Sequence, residues 1–334
     1  MKIIIIVLLT IRQAYFFELN LTNHINKGFI ANGEKYDAKK YPFVVYIYAT
    51  IRHPDGSVNR PGCTGSLVKQ FYVLTAAHCL AKKNKRKEPA EKTDASLFLV
   101  YLGSFNKKIT RKVAETYVPE GYLDYTKNKS APQMSDIAVM RLEKPFKDVN
   151  IFLKIGGKPK DFENTALECT CIGFGLVNTT TTDLNGRMMT TSVNFGRTAC
   201  RGYDNDDISL RWREYLCSIA GRLTMICPGD SGGPMICNGM LYGVCSFFFN
   251  HRAGQTVCGG PDIQTVHTFI YTHLTFVNSI IDPDANKKNE KEKKKKKKKK
   301  KKNKKGSGNL IKPHLIIHTI LTILLYSVLT IILK

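Results

Sequence analysis

Short apolar segments recur along most of this 334-residue chain, and their length is the feature that most limits its fold. Each is too short for an ordinary helix, is rich in β-branched or aromatic residues, and is bounded by Gly, Pro, Asn or Asp. The clearest of them span residues 43–51, 71–76, 97–102, 113–118, 137–142 and 240–249. This pattern predicts an all-β protein. Leu274, Val277 and Ile281 are spaced like one face of a helix and predict a short helix at the end of the domain.

One serine lies in a setting that suits a nucleophile. Ser231 occurs in "CPGDSGGPMIC", where glycines leave room for backbone amides to approach a reacting carbonyl. A serine needs a base to take its proton and a third group to orient that base. The same residues fit the looser Gly-x-Ser-x-Gly pattern of α/β-hydrolases, but Pro234 disfavours the helix that this pattern requires. A plain glycine-rich turn is the other interpretation.

Two upstream stretches supply the missing groups. "VLTAAHCL" places His78 after an apolar run, and "SDIAVMRL" places Asp136 at the head of a β-branched segment. Together with the serine stretch, in the order His78, Asp136, Ser231, they resemble the signatures of the trypsin/chymotrypsin family of serine endopeptidases. The resemblance covers approximately residues 30–282. It implies two six-stranded antiparallel β-barrels packed together, with a short C-terminal helix.

The resemblance also implies the chemical roles. Ser231 attacks the scissile carbonyl of a polypeptide substrate, His78 transfers the proton, and Asp136 orients the imidazole. The amides of Gly229 and Ser231 form the oxyanion hole. No metal or organic cofactor is implied.

A zymogen switch is implied by "FIANGEKYDAKKYPF", which resembles the family's activation site. Cleavage before Ile30 would free an ammonium group that pairs with the buried carboxylate of Asp230. Phe29 stands where trypsin-type activation would want Arg or Lys, so the activating protease is left open: either a chymotrypsin-like cut, or a cut after Lys27 followed by trimming.

Four positions match the family's substrate-binding pocket: Met225 at its floor, Ser246 on the substrate-pairing strand, Phe248 at the mouth and Asp262 on the wall. Asp262 would pair with a cationic substrate side chain or be neutralised internally. Phe248 would narrow the mouth against large aromatic side chains. We therefore expect a restricted pocket that prefers Lys or Arg, with small aliphatic residues as the alternative.

Ten cysteines and an apolar N-terminus indicate an oxidising compartment. The resemblance implies four disulfides, and we expect a fifth between the two remaining cysteines, with buried free thiols as the alternative. Zinc is disfavoured because the Cys169-x-Cys171 pair lacks histidines at finger-like spacing. The expected pairs are Cys63–Cys79, Cys169–Cys237, Cys200–Cys217, Cys227–Cys258 and Cys171–Cys245.

The N-terminal region predicts secretion. Lys2 precedes an apolar run that suits a signal peptide over residues 1–14, followed by an activation propeptide over residues 15–29 and the protease domain over residues 30–282. Asn-x-Ser/Thr sequons occur at Asn20, Asn128 and Asn178, and glycosylation is expected at the latter two.

The C-terminal region carries much of the net charge of +24. Fifteen lysines and two glutamates lie in residues 287–305, inside a linker (283–308) expected to be disordered. Residues 309–334 contain a 19-residue apolar stretch that fits either a GPI-attachment signal or a transmembrane anchor. We therefore predict an extracellular enzyme, held at the outer cell surface.

Two functions of other classes compete with this prediction. One is a protease-like binding protein that has the fold without turnover, which the intact His78, Asp136 and Ser231 disfavour. The other is a surface protein that binds polyanions through its lysines. Nucleic-acid binding is not expected, because a signal peptide and disulfides direct the chain out of the cell.

Overall fold

The computed structural model describes residues 30, 33–52, 58–59, 62–82, 90–103, 109–123, 135–175, 185–200, 208, 211–219, 225–252, 255–258 and 260–284. All elements below lie in one compact unit, Met1–Ile281. The strands in chain order are β1 (Glu34–Lys35), β2 (Val44–Ala49), β3 (Ile51–Arg52), β4 (Val58–Asn59), β5 (Gly62–Lys69), β6 (Tyr72–Thr75), β7 (Ala81–Lys82), β8 (Glu91–Lys92), β9 (Phe98–Leu102), β10 (Thr110–Tyr117), β11 (Ala138–Leu142), β12 (Leu167–Gly173), β13 (Arg187–Asn194), β14 (Tyr215–Ser218), β15 (Pro234–Cys237), β16 (Met240–Asn250) and β17 (Ile263–Phe269).

Helices are few and short in the described part of the chain. The α-helices are α1 (Glu120–Leu123) and α2 (Leu274–Ile281), and the 3₁₀ turns are Ala77–Cys79, Ala95–Leu97, Pro159–Phe162, Trp212–Glu214 and Ile270–His273. Helix α2 buries Val277 and Ile281, which confirms the predicted C-terminal helix. None of the helices described here is long and apolar enough to cross a bilayer.

The first barrel is closed and antiparallel, with strand order β10-β11-β6-β5-β2-β9. Its interior is aliphatic, because alternate β-branched and leucine side chains of these strands point inward. Five of the six segments predicted to be strands lie in it, and each forms a strand. The hairpins β3–β4 and β7–β8 lie outside the barrel sheet.

The second barrel follows the order β13-β12-β15-β16-β17-β14 and closes through pairing of β14 with β13, while β1 adds to the outer side of β13. The sixth predicted segment is its longest strand, β16. Its register slips between Cys245 and Phe247, so a bulge at Ser246 changes the direction of the strand there. The fold therefore confirms two six-stranded antiparallel barrels.

Candidate active site

His78 and Asp136 meet at the edge of the first barrel. His78 lies in the 3₁₀ turn after β6, and Asp136 lies two residues before β11, the strand that pairs with β6. The His78 Nδ1 is 2.8 Å from the Asp136 Oδ2, and the backbone N–H of His78 donates to Oδ1 at 2.9 Å. These two hydrogen bonds to the Asp136 carboxylate fix both the position and the orientation of the His78 imidazole.

Asp136 is 1% exposed, so its charge depends on its partners. Burial alone would raise its pKa, but the charge and hydrogen bonds of His78, with a hydrogen bond from Ser246, hold the pKa of Asp136 below its ordinary value. Thr268 donates from its hydroxyl to the Asp136 backbone carbonyl at 2.9 Å. Both Ser246 and Thr268 belong to the second barrel, so each barrel helps to build this carboxylate site.

Ser231 lies in the loop that precedes β15, and three glycines shape this loop. Gly229 and Gly232 have φ angles of +100° and +82°, which residues with a Cβ rarely adopt. A Cβ on Gly232 would lie 2.0 Å from the Thr75 hydroxyl. The Ser231 carbonyl accepts from the Thr64 N–H at 2.8 Å, which ties the loop to β5.

Thr64 is a site residue that the sequence did not reveal. Its buried hydroxyl donates to the Gly229 carbonyl and accepts from the Phe174 N–H, both at 3.0 Å. It thus joins the loop beside the serine to the loop that follows β12. A threonine in a β-strand is ordinary, so only the tertiary contact identifies this role.

Asp230, the neighbour of Ser231, is a buried carboxylate, 1% exposed. It accepts N–H bonds from Gly175 and Cys227, each at 2.8 Å. Burial raises the pKa of Asp230 to about 7, although these two bonds act to lower it. Among the described residues, no cation forms an ion pair with this carboxylate.

Ile30 is buried in the second barrel rather than exposed. It is 1% exposed and belongs to the apolar cluster that contains Cys171, Ile226 and Cys245. Its φ angle of +29° is unusual for a β-branched residue. The residue expected to become the new N-terminus therefore already lies inside the barrel that carries Asp230.

Of the four predicted pocket residues, Ser246 bonds the Asp136 carboxylate, and the other three separate into two groups. Met225 is 1% exposed in a cluster with Cys227 and Ile263, and Phe248 packs against this cluster. Asp262 instead pairs with Arg252, whose Nε is 3.2 Å from Oδ1, and its side chain is 32% exposed. Of the two roles expected for Asp262, the structure shows internal neutralisation, because the neighbouring hairpin brings Arg252 to it.

Four of the five expected disulfides are formed: Cys63–Cys79, Cys169–Cys237, Cys200–Cys217 and Cys227–Cys258. The expected bridge Cys171–Cys245 is absent, and both residues are buried free thiols. The β-sheet explains the difference. Cys169 lies directly opposite Cys237 on the neighbouring strands β12 and β15, whereas β15 lies between Cys171 on β12 and Cys245 on β16.

Two groups of metal-type ligands occur in the described residues. In the first, Cys63, His78 and Cys79, both sulfurs belong to one disulfide and cannot bind a metal as thiolates. The second is Cys171, Cys245 and His267, whose ligand atoms lie within 4.8 Å of one another in the core of the second barrel. The predicted glycosylation sites Asn128 and Asn178, the propeptide and the tail lie outside the described residues.

Comparison with known proteins agrees with this geometry. The family model for trypsin matches residues 30–270. Snake venom serine protease KN2 of Trimeresurus stejnegeri is 28% identical over 257 residues, covering 75% of this chain and 87% of that protein. The thrombin-like enzyme halystase of Gloydius blomhoffii is 28% identical over 222 residues, covering 66% and 84%.

A solved structure of neuropsin, a serine protease of mouse brain, has the same fold. It superposes with a TM-score of 0.55 at 20% sequence identity, covering 75% of this chain and 99% of that one. The four disulfides, like those of secreted proteins, indicate an extracellular protein. The chain belongs to the trypsin family and is a serine endopeptidase that acts on polypeptides.

Proposed function

We propose that this endopeptidase is made as a zymogen and works through His78, Asp136 and Ser231, with the amides of Gly229 and Ser231 as the oxyanion hole. The observation that carries the catalytic assignment is the doubly bonded His78–Asp136 pair. The neighbouring Cys79 Sγ lies 3.7 Å from the Ser231 carbonyl, which supports a position of this base beside the serine loop. In this arrangement Asp136 holds the proton on Nδ1, and the lone pair of Nε2 accepts the serine proton. An acyl-enzyme forms and is then hydrolysed by water.

The zymogen step rests on Ile30 and Asp230. A carboxylate whose burial raises its pKa to about 7 is stabilised by a nearby cation, and cleavage before Ile30 would create one inside the same barrel. The Gly175 and Cys227 amides that bind Asp230 belong to the segments that flank the oxyanion loop. The new ion pair would therefore stabilise the shape of the oxyanion hole.

Labelling with a fluorophosphonate tests both steps at once. Protein that begins at Ile30 should be labelled rapidly and should cleave peptides. Protein that retains residues upstream of Phe29 should react at least tenfold more slowly, and the Ser231→Ala variant should not be labelled. Equal rates for the two wild-type forms would contradict the zymogen proposal. Absence of labelling in protein that begins at Ile30 would favour the binding-protein alternative.

For the residue before the scissile bond, we propose a small aliphatic side chain. Asp262 supports a basic preference poorly, since Arg252 already neutralises it and solvent reaches it. Met225 gives the pocket an apolar floor, and Phe248 packs over it. A preference for Lys or Arg would require an unpaired carboxylate in the pocket, and Asp262 is paired with Arg252.

Two variants test the pocket from opposite sides. Phe248→Gly should open the mouth and raise the cleavage of Phe substrates at least tenfold relative to Ala substrates. Arg252→Ala should free Asp262 and raise the cleavage of Arg substrates relative to Ala substrates. A parent enzyme that prefers Arg over Ala, with no change in Arg252→Ala, would contradict the proposed specificity.

Anchoring is a proposal that rests on sequence alone. We propose that the apolar tail holds the enzyme at the outer cell surface, with a GPI signal or a spanning helix as the two forms. Phosphatidylinositol-specific phospholipase C should release the enzyme if the tail is a GPI signal. Retention after that treatment, with inositol acylation excluded, would favour the spanning helix. Secretion of the full chain into the medium would contradict both forms.

A further inference from the structure

The second barrel holds two thiols and one imidazole that the catalytic mechanism does not use. Cys171, Cys245 and His267 are each fully buried, at 0% exposure. Their ligand atoms lie within 4.8 Å of one another. Ligands around one Zn²⁺ ion lie about 3.3–3.8 Å apart, so a modest approach of the side chains would bring all three within bonding distance of one ion.

The imidazole of His267 provides a second observation. Its Nδ1 is buried and has no hydrogen-bond partner in the described part of the chain, whereas its Nε2 lies 3.2 Å from the Thr265 hydroxyl. A metal-bound histidine usually donates its other N–H to a nearby oxygen, which fixes its tautomer. In the tautomer whose Nε2–H donates to the Thr265 hydroxyl, the lone pair of Nδ1 is left to bind a metal ion. A buried polar atom without a partner is otherwise costly.

We propose that Cys171, Cys245 and His267 form a buried binding site for a thiophilic cation, and that Zn²⁺ is the ion it takes. Thiolate and imidazole ligands suit Zn²⁺ and Cu⁺. Charge favours Zn²⁺, because two thiolates neutralise the dication and leave no net charge to bury. Binding replaces two S–H bonds with two Zn–S bonds and releases two protons.

Strand order argues for a metal rather than a disulfide between the two thiols. Neighbouring strands lie about 4.7–4.9 Å apart, so strands with another strand between them lie roughly 9–10 Å apart. The Cα atoms of a disulfide are usually about 4.4–6.8 Å apart. Strand β15 separates the strands of Cys171 and Cys245. A metal ion between the two sulfurs adds two bonds of about 2.3 Å, so it can join cysteines whose Cα atoms are too far apart for a disulfide.

The site would lie directly behind the catalytic loop. The backbone carbonyl of Cys245 accepts from the Gly232 N–H at 2.7 Å, and its N–H donates to the Gly233 carbonyl at 2.9 Å. Cys171 and Cys245 also belong to the apolar cluster that contains Ile30. Zinc bound here would therefore stabilise the strand that supports the serine loop and the residue at the activation site.

Cobalt substitution tests the site in the full chain, with Ser231→Ala added to prevent self-digestion. Protein refolded with Co²⁺ should bind one equivalent and show thiolate-to-cobalt charge-transfer absorption, which Zn²⁺ abolishes by displacement. Because the other eight cysteines are in disulfides, this absorption reports on Cys171 and Cys245. Zn²⁺ should also raise the thermal unfolding temperature.

Variants assign the ligands. Cys171→Ala should abolish the charge-transfer band or weaken Co²⁺ binding at least a hundredfold, and His267→Gln should weaken it about tenfold or more. The matched control is His273→Gln, since His273 is another buried histidine with an unpaired nitrogen but lies outside the group, and its Co²⁺ affinity should be unchanged. If a variant fails to fold, the parent spectrum still decides the question. A folded parent without the band, or a mapped Cys171–Cys245 disulfide, would overturn the proposal.

Discussion

Both barrels have six antiparallel strands, but they bury different kinds of side chains. The first is filled with aliphatic side chains, and the polar groups buried in its described strands are hydroxyls, as in Thr64 and Thr75. The second buries Asp230, His267 and two thiols. The hydroxyls of Thr64 and Thr75 donate to backbone carbonyls and need nothing further once the chain folds. Asp230 has no counter-charge among the described residues, and on the proposed zymogen mechanism it gains one only after cleavage before Ile30.

The contrast extends to the catalytic groups. His78 and Asp136 are delivered by the first barrel and its loops as a bonded pair. Ser231 and the amides proposed for the oxyanion hole lie in the loop before β15 of the second barrel, next to Asp230. On the proposed mechanism, the first barrel supplies a base that is positioned on folding, while the loop around the nucleophile in the second barrel needs a cation beside Asp230. A protease that must stay silent until cleavage benefits from this division.

The largest effect is expected from Asp136→Asn, which tests whether the base is ready on folding. An amide at this position favours the wrong imidazole tautomer, and in related triads the change lowers kcat by about 10⁴-fold. Steady-state kinetics on protein that begins at Ile30 should show a similar loss with KM little changed. A loss below tenfold would mean that His78 is oriented by other groups, and the division between the barrels would fail.

Asp230→Asn tests the charge that the second barrel buries. The pKa of Asp230 is raised from 3.8 to about 7 in the folded chain, so its contribution is favourable below about pH 4 and is lost as the pH rises towards 7. Three pKa units correspond to about 4 kcal/mol. Uncleaved protein carrying Ser231→Ala should therefore lose that much more stability between pH 4 and 8 than the same protein with Asp230→Asn.

Protein cleaved before Ile30 provides the second half of this test, because it carries the new ammonium group. Urea unfolding of a form that begins at Ile30 should show a smaller pH dependence, because the ammonium group compensates the carboxylate. In that form Asp230→Asn should destabilise the protein at pH 7. If the uncleaved forms with Asp and Asn depend on pH equally, Asp230 is already compensated and the proposed switch is wrong.

The sequence predicted the parts of this site that depend on local order. Short β-branched runs identified six of the strands, and two of the sequence stretches contain His78 and Asp136, which the fold joins by two hydrogen bonds. The sequence did not predict the contacts that depend on which strands lie next to each other. Cys171 and Cys245 could be taken for a disulfide pair, because no local pattern reveals that β15 lies between them. The pairing of Asp262 with Arg252 likewise depends on a contact between the segment after β16 and the segment before β17, which no local pattern reveals.

Ser246→Ala tests how far the first barrel's pair depends on the second barrel. The Ser246 hydroxyl donates to Asp136 from the bulge in β16, and hydrogen bonds to charged groups contribute about 1.5–3 kcal/mol. We expect kcat to fall about tenfold or somewhat more. Thr268→Val is the matched control, since Thr268 donates to the Asp136 carbonyl and not to its carboxylate. Equal losses in the two variants would point to general loosening of the interface.

Thr64→Val tests the reverse dependence, that of the second barrel's loop on the first barrel, and has the smallest expected effect. Valine keeps the shape of threonine but removes the hydroxyl that joins Gly229 to Phe174. The Phe174 N–H would then lack its partner, at a cost of about 1–3 kcal/mol in unfolding free energy. Because Gly229 is proposed to supply an oxyanion amide, kcat should also fall severalfold. Thr64→Ser keeps the hydroxyl and loses a methyl group, so it should retain kcat while losing some stability. If serine and valine lower kcat equally, packing rather than the hydroxyl positions the loop, and the first barrel contributes only shape to the oxyanion hole.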